Sequence, residues 1–156
     1  MADSEIEVLA REWERARAGA EEFITAMPDG HLSFRPVPEV LNFAGQFLHV
    51  ADANYTFAAG AFAAEKPFKG KNPEDDPALQ TKEALLQFTL ASYDFILTRL
   101  KSLAPGSLDE AVAFFSWTMP RRLILAKAFE HHAHHRGQTA VYFRLNGMKP
   151  PSERLF

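Results

Sequence analysis

The sequence has no cysteine. This absence excludes disulfides, thiolate nucleophiles and cysteine-based zinc sites. Histidine, aspartate and glutamate are then the strong metal ligands that remain. Any metal bound by this chain is therefore expected to be coordinated by nitrogen and oxygen atoms.

The sequence also lacks a basic excess and a long apolar run. Its net charge of −3 argues against nucleic acid as a partner, because domains that bind nucleic acid usually carry a positive excess. The longest apolar run, near Phe57 to Ala64, is much shorter than the roughly 18 residues that a membrane span needs. The acidic N-terminus has neither the basic nor the apolar region of a signal peptide. These absences predict a soluble cytoplasmic protein that binds neither nucleic acid nor membrane.

Apolar residues recur at helical spacing along most of the chain, and no segment shows the alternation of a β-strand. The length suits a single domain over residues 1–156. The predicted helices run from about Ser4 to Met27, Glu39 to Ala64, Ala78 to Leu103, and Pro120 to Leu145. Residues 65–77 are predicted to form a surface loop, and residues 107–119 a short helix plus loop. The pattern predicts an all-α four-helix bundle.

Four of the six histidines lie within the nine residues 130–138. Each helical residue advances by about 100° around the axis, so His131 and His135 fall about 40° apart on the helical wheel. Ile124 and Tyr142 point in one direction on the wheel, towards the core, and the two histidines lie on either side of that direction. The spacing therefore predicts that two imidazoles, one turn apart, face the core together and can bind one metal ion.

The other two histidines of the cluster narrow the type of metal site. His132 and His134 fall on the flanks of the inward face. His132 occupies the position of the catalytic glutamate in an HExxH motif, which excludes that kind of metalloprotease. No glutamate in the chain has histidine three residues later, so a di-iron carboxylate bundle is also excluded. A mononuclear site remains, with His132 and His134 as flanking residues.

A mononuclear site needs at least a third ligand, and His31 and His49 are the histidines outside the cluster. His31 lies in the proline-rich loop 28–38, where a solvated turn histidine is the commoner case. His49 lies in the middle of helix two, where a buried imidazole needs a partner. Its neighbours on the helix surface are small and polar, which suits either a wet outer face or a polar cavity. Spacing alone leaves both interpretations of His49 open.

The C-terminal motif resembles the signature of the DinB/YfiT-like superfamily. Its residues are His131, His135, Arg136, Gly137 and Gln138, followed by Arg144-Leu145-Asn146-Gly147 and Pro150-Pro151. The Phe34-Arg35-Pro36 loop, His49 and the four long helices extend the resemblance over nearly the whole chain. The resemblance implies a four-helix bundle that holds one divalent metal ion, usually zinc or nickel. It also implies that the ligands are His49, His131 and His135.

Three histidine ligands leave a fourth position for water or substrate, as in catalytic zinc sites. Hydrolysis would usually need a nearby carboxylate, but Glu130 points away and Asp52 lies about 60° from His49 on the helical wheel. Thiol transfer needs less, because a thiol on a metal is already a nucleophile. Without cysteine in the chain, the thiol would come from a cosubstrate.

The resemblance favours the same chemistry, because relatives in the superfamily include bacillithiol transferases and a mycothiol-dependent maleylpyruvate isomerase. We therefore predict a metal-dependent transferase that joins a low-molecular-weight thiol to an electrophile. The alternatives are a metal-dependent hydrolase, or a non-catalytic stress-response or ligand-binding bundle.

Two further expectations concern packing. Gly137 lies inside the fourth helix, where glycine lowers helix stability by up to about 1 kcal/mol relative to alanine; we therefore expect another backbone to pack close to it. Glu130 and Arg136, on the opposite face, are expected to be solvated or in surface ion pairs. Relatives are often homodimers, and a chain with 14 phenylalanines and two tryptophans can leave apolar helix surface for an interface. We predict a homodimer.

Overall fold

A computed structural model describes residues 4–156. Its helices are α1 (Glu5–Ala26), α2 (Phe43–Phe62), α3 (Lys82–Lys101) and α4 (Arg121–Leu145), and its strands are β1 (Ala111–Phe114) and β2 (Trp117–Pro120). Short 3₁₀ turns occupy Asp29–His31, Pro73–Asp75, Pro77–Leu79 and Ser107–Asp109. The predicted all-α bundle of four long helices is confirmed.

The helix starts follow from their capping residues. Ser4 and Glu7 form the predicted capping box at the start of α1. The sequence predicts the second and third helices from Glu39 and Ala78, but both begin later. Asn42 and Thr81 cap them, because each side-chain oxygen accepts a hydrogen bond from the backbone N–H three residues on.

The four helices pack around one cluster of buried apolar side chains. Helix α2 packs against both α3 and α4, α1 packs mainly on α3, and α1 and α4 approach each other less closely. The largest fully buried side chains include Trp13, Phe43, Phe47, Tyr93 and Phe143. Helices α2 and α4 therefore share a long antiparallel interface, and this interface positions the site described below.

Residues 107–119 differ from the predicted short helix plus loop. Only a single 3₁₀ turn forms at Ser107–Asp109, and β1 and β2 then pair as an antiparallel hairpin. The Phe114 ring lies on the backbone of Gly60 in α2, where a Cβ atom would overlap it. This contact holds the hairpin against the end of α2.

Arg121, at the start of α4, joins the base of the hairpin to α2. Its guanidinium donates to the carbonyl oxygen of Ala61 (2.7 Å) and to the carboxylate of Glu110 (3.0 Å). Both contacts are distant in sequence from Arg121, so helical periodicity gives no sign of them.

Within residues 4–156, none of the helices combines the length and the apolar character that crossing a membrane requires.

Candidate metal centre

The three predicted ligands lie together between α2 and α4. His49 comes from the middle of α2, and His131 and His135 come from successive turns of α4. The ring centroids are 5.0 Å apart for His49 and His131, 4.6 Å for His49 and His135, and 4.5 Å for His131 and His135. One ligand nitrogen from each ring lies within 4.8 Å of the other two. This triad could hold a metal ion.

A hydrogen-bond network across the α2–α4 interface orients His135. The side-chain amide nitrogen of Gln46 donates to the amide oxygen of Gln138 (3.0 Å) and to the hydroxyl of Tyr142 (2.8 Å). The Gln46 amide oxygen therefore faces Nδ1 of His135, at 2.6 Å. Because an amide oxygen only accepts, Nδ1 must carry the proton, and the lone pair of His135 is on Nε2. The Tyr142 hydroxyl completes the network by donating to the carbonyl oxygen of Leu41 (2.7 Å).

His49 is oriented by a carboxylate that no sequence pattern indicates. Nδ1 of His49 contacts the Glu74 side chain, which comes from the 3₁₀ turn after α2. The backbone carbonyl of Glu74 accepts a hydrogen bond from the side chain of Gln80 (3.1 Å), which holds this turn in place. A carboxylate behind a ligating imidazole is a common arrangement around metals, because it fixes the tautomer and raises the basicity of the ring. Nothing in the spacing of Glu74 and His49 indicates this contact.

The electrostatic surroundings keep the α4 imidazoles neutral. Burial, with smaller contributions from His131, His49 and His134, lowers the pKa of His135 to about 3. Burial likewise lowers the pKa of His131, with smaller contributions from His49 and His134. Neutral imidazole is the form that binds a metal ion. These two rings are therefore in the protonation state that coordination requires.

The residues fit a divalent ion. Four-coordinate zinc places its nitrogen ligands about 3.3 Å apart, so side-chain adjustments of the order of 1 Å would bring these atoms, now within 4.8 Å of each other, into range. No aspartate or glutamate among residues 4–156 joins the cluster as a further ligand. Three protein ligands are typical of catalytic sites, whereas structural zinc sites usually have four.

His132 is the main departure from the helical-wheel prediction. It does not flank the site but is buried, with 2% of its surface exposed. It packs against Trp13, Tyr93 and Phe129, and its Nδ1 donates to the carbonyl oxygen of Phe129 (2.8 Å). Burial lowers the pKa of His132 to about 4. The wheel placed this ring at the edge of the inward face, but α1 and α3 cover that edge.

The remaining histidines stay outside the triad. His134 is exposed, as expected for a flanking residue, and its Nε2 accepts a hydrogen bond from the side chain of Gln138 (2.9 Å). His31 is half-buried in the first 3₁₀ turn and is not part of the cluster.

The structure also locates the other residues for which the sequence gives an expectation. Asp52 forms an ion pair with Lys66 (2.6 Å). Glu130 is exposed as expected, whereas Arg136 is half-buried and lies against Gly19 of α1. The expectation of a close backbone at Gly137 is wrong, because within residues 4–156 no atom from beyond its own stretch of helix lies within 4 Å of the place where its Cβ would be.

A cleft of about 830 Å³ lies against His49. One wall is formed by α2, including Asp52, and the other by residues 66–74 of the connection to α3. Of the triad, His49 lines this cleft, which is large enough for a small molecule.

The fold has solved counterparts. The structure resembles a DinB-like protein from Bacillus cereus, with a TM-score of 0.80, 20% sequence identity, and coverage of 95% of this chain and 97% of that chain. It also resembles the DinB-like protein YjoA from Bacillus subtilis, with a TM-score of 0.71, 19% identity, and coverage of 93% of this chain and 96% of that chain. A conserved protein from Enterococcus faecalis gives a TM-score of 0.68 at 17% identity, over 92% of this chain and 98% of that chain.

At the sequence level, no curated protein matches the chain significantly. The sequence profile of the DinB family, in contrast, matches residues 1–154. The resemblance noted from the histidine motif is confirmed, and the chain belongs to the DinB family.

Proposed function

We propose that this protein is a metal-dependent transferase that joins a low-molecular-weight thiol to an electrophile. His49, His131 and His135 bind one divalent ion, zinc or nickel. The observation that carries the proposal is the set of three converging imidazoles beside a cleft, with no fourth protein ligand in residues 4–156. We place the activity in the cytoplasm, where thiols are kept reduced.

The side chains around the triad have distinct tasks in this reaction. When bound, the ion lowers the pKa of a thiol and so supplies a sulfur nucleophile at neutral pH. Glu74 and Gln46 hold His49 and His135 with Nε2 free for coordination. In the transfer, sulfur forms a bond to a carbon atom of the electrophile. The bond from that carbon to the leaving group breaks with its electron pair, and the thiol proton passes to solvent.

The alternative of a metal-dependent hydrolase is less well supported. Hydrolysis benefits from a carboxylate that accepts a proton from the attacking water. Glu74 is the carboxylate next to the triad, but it is engaged with Nδ1 of His49, on the side of the ring away from its coordinating nitrogen. Asp52 is paired with Lys66. Thiol transfer requires no such base.

The alternative of a non-catalytic binding bundle would be favoured by a closed site with four protein ligands, or by no metal. The cleft beside His49 instead supports access by a small molecule. Metal analysis of protein purified without a His tag tests this point directly. We expect one divalent ion per chain, and the absence of bound metal after dialysis against zinc or nickel would contradict the proposal.

The reaction itself is tested by incubating the loaded protein with candidate thiols and a reactive alkyl halide or epoxide. We expect thioether formation that depends on both the metal and the thiol. Hydrolysis of the electrophile without thioether would instead support the hydrolase.

We also propose that the protein is a homodimer. An apolar groove of about 620 Å³ between α1 and α4 is lined by side chains that include Val8, Leu9 and Leu123. Sedimentation at micromolar concentration is expected to show twice the 17.5 kDa of one chain. A single 17.5 kDa species would contradict this proposal.

A further inference from the structure

Lysines are concentrated at the mouth of the cleft beside His49. The chain has seven lysines, and three of them, Lys66, Lys69 and Lys71, fall within six residues. All three line the cleft. The carboxylates of Asp52 and Glu74 line the same cleft, so the positive charge available to a ligand depends on which lysines are already paired.

The lysine segment is anchored at both ends. The Phe68 ring packs against Tyr55 and Phe88, with ring centroids 5.4 Å apart in both cases. Pro73 is buried, and Glu74 contacts His49. Residues 69–72 therefore form a short bridge between two fixed points. The backbone of these residues is thus held beside the cleft.

Lys71 and His49 line the same cleft. Lys71 precedes Glu74 by three residues, so their Cα atoms are separated by at most about 11 Å. A lysine side chain can extend over several ångströms of that separation. Its ammonium can thus contact one end of a small molecule whose other end lies at His49.

The three lysines differ in their present partners. Lys66 pairs with Asp52 (2.6 Å), and Lys69 pairs with Glu65 (2.6 Å). Lys71 is exposed and has no ion-pair partner within residues 4–156. It is therefore the lysine available for an anion without the loss of an existing pair.

We propose that the thiol cosubstrate is an anion, and that Lys71 binds its carboxylate or phosphate group in the cleft while its sulfur lies at the histidine triad. The proposal rests on the proposed function, because it assumes a thiol at the triad.

The test compares pairs of thiols in which one member carries an anionic group and the other does not. Untagged full-length protein loaded with cobalt(II) is titrated with 3-mercaptopropionate and its methyl ester, and with 4′-phosphopantetheine and pantetheine, and binding is followed by the visible absorption of the cobalt. We expect the anionic member of at least one pair to bind about fivefold more tightly at low salt. The preference should disappear near 1 M salt, where the Debye length is about 3 Å. The pair with the larger ratio identifies the anionic group as carboxylate or phosphate.

Lys71→Gln is expected to remove most of this preference and to leave binding of the neutral thiols and the metal content unchanged. Lys101→Gln is the matched control, because it removes the same charge from an exposed pair with Glu14 on the α1–α3 side. Lys66→Gln is less suitable, since it would leave Asp52 unpaired in the cleft.

The outcomes separate the two proposals. If no thiol perturbs the cobalt spectrum, the proposed function fails, and the anion subsite fails with it. If charged and neutral thiols bind equally well, or if Lys71→Gln and Lys101→Gln have the same effect, thiol use stands and the Lys71 subsite is wrong.

Discussion

His131 and His132 are adjacent in the chain, yet they face different parts of the bundle. The His131 ring lies half-buried between α2 and α4, with the rings of His49 and His135 as neighbours. The His132 ring lies 2% exposed in the core, in contact with Trp13 of α1 and Tyr93 of α3. A rotation of about 100° around α4 thus separates a candidate metal ligand from a core residue.

The two rings also differ in what surrounds their polar atoms. Nδ1 of His132 is bonded to the Phe129 carbonyl, and its Nε2 is buried without a hydrogen-bond partner within residues 4–156. Burial lowers the pKa of both rings. For His131, a neutral lone pair beside two other imidazoles can bind an ion. For His132, the same neutrality is what allows the ring to remain in an apolar core.

The largest effects on metal binding and on stability are expected when the triad and His132 are replaced separately. Replacing His49, His131 and His135 together with alanine should abolish binding of a divalent ion, because it removes all three proposed nitrogen ligands. His132→Ala should keep one ion per chain but destabilise the metal-free fold by roughly 2–4 kcal/mol, because it leaves a cavity in the core. Metal analysis and denaturant unfolding measure the two effects.

His134→Ala is the control for this pair, since the residue is in the same motif but exposed. It should change neither metal content nor stability appreciably. A triple variant that still binds the metal stoichiometrically, or a His132→Ala variant that loses it, would show that the triad is assigned to the wrong side of α4.

The pairing of His131 with His135 and the four long helices can be predicted from the sequence. The spacing of His131 and His135 indicates a shared face, because a helix places residues four apart on the same side. The four long helices follow from apolar periodicity and from capping residues such as Ser4. These are local regularities, and local regularities are what a single sequence displays most directly.

The features that the sequence reading missed depend on contacts between distant segments. Glu74 reaches His49 only because residues 65–75 fold back over α2. The hairpin has strands of four residues and a turn at Phe115 with φ of 52°, where asparagine or glycine would be the usual signal. His132 is buried because α1 and α3 cover its side of α4, which a helical wheel of one helix cannot show.

A smaller change in the free energy of unfolding is expected when the pH is lowered. His132 has a pKa of about 4 in the folded protein and 6.5 as the reference value for the unfolded chain. Between these pH values the unfolded chain binds the proton and the folded protein does not, so acid favours unfolding. The free energy of unfolding of metal-free protein should therefore fall as the pH decreases from about 6.5 to about 4, with His132 contributing up to about 3 kcal/mol.

His132→Phe is expected to reduce this loss, because phenylalanine occupies similar space and does not titrate. Urea unfolding of both proteins at neutral pH and near pH 4.5 gives the comparison. Metal-loaded protein should lose more stability than metal-free protein on acidification, because protons also compete with the ion for its ligands. Parallel pH profiles for the parent and His132→Phe would contradict the assignment of His132 as a neutral core residue.

The side chains that contact the triad imidazoles should affect metal affinity less than the imidazoles themselves. Gln46→Leu removes the acceptor for Nδ1 of His135, and we expect a roughly 10–100-fold loss of metal affinity. Glu74→Gln should cost less, because the amide oxygen can still accept from His49 although the negative charge is lost. Competition with a chelator measures both affinities.

Asp52→Asn is the matched control for these variants. Its carboxylate is on α2 near His49 but is paired with Lys66 rather than with an imidazole. Metal affinity close to that of the parent is expected. If Asp52→Asn weakened metal binding as much as Gln46→Leu, general loss of charge or structure would explain the effect better than orientation of the ligand.

The smallest effect is expected at Gly137, which lies in the same motif as the triad. It is exposed within α4, and apart from its own stretch of helix no atom in the described part of the chain, residues 4–156, lies within 4 Å of the place where a Cβ would be. Gly137→Ala should therefore stabilise the protein by up to about 1 kcal/mol, since alanine is the better helix former and nothing opposes it. Gly60→Ala is the contrasting variant, because its Cβ would overlap the Phe114 ring and displace the hairpin. The temperature of thermal unfolding should rise for Gly137→Ala and fall for Gly60→Ala, and the metal content of Gly137→Ala should be unchanged. Destabilisation by Gly137→Ala would mean that a partner, such as a second copy of the chain, packs on this face of α4.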